Sequence, residues 1–159
     1  MKSRLPDRQF LSRLLQEESV LLDDFVSLLR QEETLLLDGQ TDALLEMAER
    51  KTAMYRRLQF LSDERTRAFS GVHAKLDDET MRLALQGAPD AIRQWDRVIA
   101  AAGEAARQNE SNGRLITERM QGNQQALTVL MAAAAQPGAT YGPDGQSRPY
   151  LSGRRFGSV

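Results

Sequence analysis

Covalent chemistry at neutral pH needs nucleophiles, proton carriers or metal ligands within reach of one another, and this chain holds few of them. It has no Cys and one histidine, His73. The lack of thiols removes disulfides, thiolate metal sites and cysteine nucleophiles. Three acidic doublets, Glu17/Glu18, Asp23/Asp24 and Glu32/Glu33, are the remaining candidates for metal binding or acid–base work. A di-metal carboxylate centre in a helical bundle needs paired Glu-x-x-His motifs. His73 has Ser70 three residues before it, so that motif is missing, and it reads as an ordinary loop residue. Helical spacing puts most of each acidic doublet on a solvated face.

Phosphate and nucleotide chemistry fare no better. There is no GxxxxGK[ST] and no GxGxxG, and Gly142-Pro143-Asp144-Gly145 is a turn sequence with no helix after it whose dipole a phosphate could use. A Ser-His-Asp triad would have to rest on the one loop histidine. The chain is therefore expected to be no enzyme, and to carry no metal and no cofactor.

What surrounds these residues is the composition of a folded protein. The 159 residues are 41% hydrophobic and 27% charged, with 21 Lys+Arg against 22 Asp+Glu and a formal charge of -1. That balance gives no global attraction for nucleic acid or an anionic membrane. Arginine is interleaved with acids except at the end, where Arg148, Arg154 and Arg155 face only Asp144. The longest apolar run, Ala126 to Ala135, falls short of the ~18 residues that a membrane helix needs. The opening MKSRLPDRQF has no apolar stretch behind its basic residues, so a cytoplasmic location and no stable membrane insertion are expected.

The elements follow from periodicity. Leu14, Leu21, Leu28 and Leu35 recur every seven residues, and Leu15, Leu22, Leu29 and Leu36 follow each by one. A third row holds Leu11 and Phe25 and is interrupted by Glu18 and Glu32. Three rows make a broad apolar face, which predicts a helix from about Asp7 to Leu37 packed on more than one neighbour. Pro6 and Asp7 suit its start, and Asp38-Gly39 its end. After this short turn Thr41 or Asp42 can cap a second helix to about Phe69, with Leu44, Met47, Met54/Tyr55, Leu58 and Leu61 on its apolar face. The two helices must then lie antiparallel. Lys51 and Arg65 fall on the same stripe and are expected to snorkel at its edge.

Residues 70–75 read as a loop, and Asp77 caps a short helix to about Gln86, with Leu76 and Met81 as a hydrophobic staple. Gly87-Ala88-Pro89 separates it from a third long helix, or two collinear ones. Its stripe reads Ile92, Trp95, Ile99, Ala102, Ala106, Asn109, Gly113, Ile116, Met120, Asn123, Leu127, Leu130, with a weak stretch at Gln108 to Gly113. Residues 136–159, with five Gly and three Pro, read as a flexible tail. The expected fold is an elongated all-α antiparallel bundle of three long helices and one short helix, residues 1–135, followed by that tail.

With catalysis the least supported class, protein binding remains. The apolar stripe of the last helix continues past the length that the first hairpin must cover, which leaves a strip for a partner helix or for a dimer. A homodimeric coiled-coil or scaffolding protein using this strip is the competing reading.

The segment NESNGRLITERMQGNQQALTVL (Asn109 to Leu130) followed by TYGPDGQ (Thr140 to Gln146) resembles the FlgN family of flagellar export chaperones. The Leu-Leu-x-x-Glu texture of the first helix, the Leu37-Asp38-Gly39 turn and Glu49-Arg50-Lys51 are similar to that family too. The resemblance implies a non-enzymatic cytoplasmic chaperone of the flagellar type III export system. It would bind hook-associated proteins of the hook–filament junction before secretion and deliver them to the export gate. Carried onto this chain, it implies a substrate-binding strip of Ile116, Met120, Asn123, Leu127 and Leu130, and Tyr141 as the gate-docking residue. Asn109, Gly113 and Asn123 either hold that strip's affinity at a moderate level or form a solvated hinge.

Overall fold

The structure is a computed structural model that describes residues 5–72, 76–135, 139–141 and 147–149. Four helices occur among the described residues: α1 (Arg8–Asp38), α2 (Asp42–Ala68), α3 (Asp78–Ala84) and α4 (Pro89–Ala135). The chain divides into two units, residues 1–116 and 117–159. His73 and the Gly142 to Gly145 turn lie outside the described residues.

In the first unit the helix ends are set by local chemistry. The Asp7 carboxylate accepts from the backbone N–H of Gln9 at 2.7 Å and of Phe10 at 3.1 Å, satisfying two donors that the first turn leaves open. Gly39 stops α1 in the left-handed region, φ 70°, and the following Gln40 N–H closes onto the Leu35 carbonyl at 3.0 Å. Thr41 stands at the start of α2 but makes no side-chain cap hydrogen bond, because its own backbone is already helical. Asp77 caps α3 through the Thr80 N–H at 2.9 Å.

α1 is the common wall. Ion pairs Lys51–Glu32 and Arg65–Glu18 show α2 running antiparallel to it, whereas contacts from Gln94 to Ser19, Arg97 to Asp23 and Asn112 to Leu29 show α4 running parallel. The long helices thus go up, down, up, the bundle expected from the sequence. Near the start of α1, Leu11, Leu15 and Leu22 pack with Phe69, Met81, Leu85, Trp95 and Val98; further along, Phe25, Val26 and Leu29 pack with Ala105. The broad face of α1 serves both neighbours, as its three apolar rows require.

The buried row of α4 differs in phase from the expected one. It runs Ala91, Trp95, Val98, Ala101, Ala105, Asn112, while Ile99, Ala102, Ala106, Asn109, Gly113 and Ile116 are exposed. The shift is one residue, about 100° of rotation. The inner row is largely alanine, whereas a reading of periodicity weights the larger Ile side chains that lie outside. α4 is also one helix through Gly113.

The second unit contains the rest of α4, Thr117 to Ala135, in which every residue is exposed. Two three-residue strands follow, β1 (Ala139–Tyr141) and β2 (Ser147–Pro149), paired antiparallel with Thr140 opposite Arg148. The sequence reading contains no strand here: three residues are too few for a period-2 pattern to stand out.

Candidate functional site

Two polar layers fix how the long helices meet. In the first, Glu18 of α1 is buried and accepts from Arg65 Nε at 3.2 Å and Nη2 at 3.1 Å, and the Arg65 guanidinium also lies 5.0 Å from the ring centre of Trp95. Trp95 Nε1 donates to Asp78 at 2.7 Å. In the second, Glu32 of α1 is buried and accepts from Lys51 Nζ at 3.0 and 3.3 Å and from the Asn112 side-chain amide at 2.9 Å. Asn112 is 0% exposed; it also donates to the Leu29 carbonyl at 2.7 Å and accepts from Gln108 at 3.0 Å. No buried side-chain N or O is left unpartnered among the described residues.

These layers correct two expectations. Glu18 and Glu32, one member each of two acidic doublets, are inside the bundle, and Arg65 and Lys51 close over them instead of snorkelling at an edge. Burial of a carboxylate is costly unless it is paired and hydrogen-bonded, and both conditions hold here. A signal for them was present in the numbering. Glu18 and Glu32 are 14 residues apart on α1, and so are Lys51 and Arg65 on α2, the spacing that an antiparallel hairpin needs to form both pairs at once.

One further pair, Asp78 and Arg82, is set by its hydrogen bonds. Hydrogen bonds from Arg82 first, then Trp95, hold the Asp78 carboxyl below its ordinary value, with desolvation acting the other way. This belongs to the packing of α3 on α4. Among the described residues no group of three or more His, Cys, Asp or Glu is arranged to hold a metal ion.

The residues expected to bind a partner lie elsewhere. Ile116 is 38% exposed, Met120 66%, Leu127 56% and Leu130 67%, and Asn123 is exposed with them. Their spacing of four, three, four and three places them on one face of α4. From Gln121 to Ala135 the helix carries no charged residue, and Val129 and Met131 are exposed as well. Isolated exposed apolar side chains are ordinary, whereas a sustained row, free of charge from Gln121 onward, is not. Tyr141 is the last residue of β1, opposite Ser147 in the register.

The fold and this face define an all-α bundle protein that presents an apolar helix surface. The family model described as FlgN protein matches residues 1–149, and the chain belongs to the FlgN family. It is accordingly a flagellar export chaperone, of a family that binds flagellar export substrates. No curated protein and no solved structure matches the chain. No described helix is long and apolar enough to cross a membrane.

Proposed function

We propose that this chaperone works in the cytoplasm, without catalysis, by binding hook-associated proteins of the hook–filament junction before secretion and handing them to the export gate. The observation that carries the reading is the uncovered row Ile116, Met120, Asn123, Leu127, Leu130 on a helix that the bundle anchors through Asn112. An amphipathic segment of a client laid on this row buries its own apolar face and is kept from self-association by mass action. The interruption at Asn123 limits the apolar area per turn, which suits a complex that must later come apart. Tyr141 is proposed as the contact with the gate.

The test is a size shift on mixing purified protein with a hook-associated protein. The parent should shift, and a Leu127→Asp/Leu130→Asp variant of unchanged helicity should not. Binding by that variant at parental strength overturns the site. Tyr141→Ala should keep the client and weaken the gate contact; equal loss of both overturns the assignment of Tyr141.

A further inference from the structure

Between the two polar layers, α1, α2 and α4 leave a groove of about 610 Å³ open to solvent. Leu22 and Phe25 form its floor, Tyr55 and Leu58 line the α2 wall, and Ala102 and Ala106 the α4 wall. The charged side chains that line it, Glu18, Arg65 and Lys51, are already paired, Lys51 with Glu32, so a charge brought in would be desolvated without a partner. The occupant's inner face must therefore be uncharged. The groove follows α2 from Lys51 to Arg65, about 21 Å of helix at 1.5 Å per residue, or four turns. It calls for a helix of that length with apolar residues every three or four positions.

The molecule itself contains such a helix. α4 from Ile116 onward has exposed apolar side chains at the required spacing and, from Gln121 to Ala135, fifteen residues without a charge. α4 is unbroken from Pro89 to Ala135, and its Ala102 and Ala106 supply one wall of the groove. We propose that the groove receives the α4 strip of a second copy of this chain, two copies exchanging strips about a twofold axis. Each copy then gives the same two faces, the self-complementary arrangement of a closed dimer. The dimer covers the strip that the proposed client would take, so client binding requires dissociation and the chaperone caps itself when no client is present. The regulatory half of this inference rests on the client-binding reading above.

Sedimentation of the full chain across a range of concentrations, in the absence of client, tests it. The parent should pass from monomer to dimer. Ala102→Arg/Ala106→Arg, at exposed groove positions, and Leu127→Asp/Leu130→Asp, on the strip, should each weaken self-association by about tenfold or more while far-UV helicity is unchanged. Mixing the two variants should restore association, since one intact groove then meets one intact strip. A dimer that tolerates the groove variant overturns the proposal in favour of strip against strip. A parent that stays monomeric while still binding a hook-associated protein overturns it and leaves the client reading standing. Dimerisation with the expected variant pattern but no client binding does the reverse.

Discussion

The two halves of α4 put similar residues to opposite uses. From Pro89 to Ile116 the helix buries Ala91, Trp95, Val98, Ala101, Ala105 and an asparagine; from Thr117 to Ala135 it buries nothing, although Leu127, Val129, Leu130 and Met131 are larger and more apolar than most of the buried set. Hydrophobicity along a helix shows where a surface can be covered, and the covering depends on what the rest of the chain brings to it. In the first half α1 supplies the cover, with Asn112 held between the Leu29 carbonyl and Glu32 as its last fully buried residue. In the second half no residue from Thr117 to Ala135 is buried, so among the described residues its apolar side chains stand uncovered.

The largest effect that would break this contrast is a stability change in the wrong half. Trp95→Ala should cost about 3–5 kcal/mol in denaturant unfolding, since it removes a buried ring, the stacking surface of Arg65 and a donor to Asp78. Leu130→Ala should stay within about 0.5 kcal/mol of the parent. Comparable losses at the two sites would mean that the second half is covered in the isolated chain.

Next in size is the second polar layer. Lys51→Met strands the buried Glu32 carboxylate with Asn112 as its remaining partner and should destabilise by about 3 kcal/mol. Replacing both members, Glu32→Leu with Lys51→Met, should recover most of that loss. If the double variant is as unstable as the single, the pair contributes through something other than desolvation.

Native-state amide exchange reads the same contrast without substitution. Amides from Trp95 to Asn112 should be protected to near the global unfolding free energy, and those from Met120 to Met131 should exchange orders of magnitude faster. Added client should slow the second set alone. Uniform protection along α4 without client, at a dilution where the chain is monomeric, would break the comparison.

The smallest effect is a pH dependence. Asp78 has its carboxyl held low in the folded state, so its bonds to Arg82 and Trp95 stabilise above the ordinary carboxylate value of 3.8 and are lost as the pH falls through the lowered one. The stability gap between the parent and Asp78→Asn should be present at neutral pH and close on acidification below that value. A gap that persists unchanged in acid would place the contribution of Asp78 in packing instead of charge.

How far this was readable from the sequence follows the range of the interactions. Asp7, Gly39, Asp77 and Pro89 act on neighbours within a few residues, and the helix limits they set agree with the structure. The breadth of the α1 face was legible because leucine repeats on it in full rows. On α4 two rows overlap, an alanine-rich one used by the bundle and an isoleucine- and methionine-bearing one left outside, and periodicity alone reports the heavier of the two. The pairs of Glu18 with Arg65 and Glu32 with Lys51 join different helices, so each charge shows in the sequence as an interruption of an apolar stripe while the partner it pairs with does not. The exposed strip could be anticipated as a surplus of apolar positions, and its family likeness named the residues on it.

The triplet of Glu32, Lys51 and Asn112 has a consequence for descent. Lys51 and Asn112 both satisfy the buried Glu32 carboxylate, so a change at one position leaves a cost that a change at another can remove. Chains that diverge from this one should therefore exchange these three positions as a set, drawn from three different helices, while the flanking leucines drift independently.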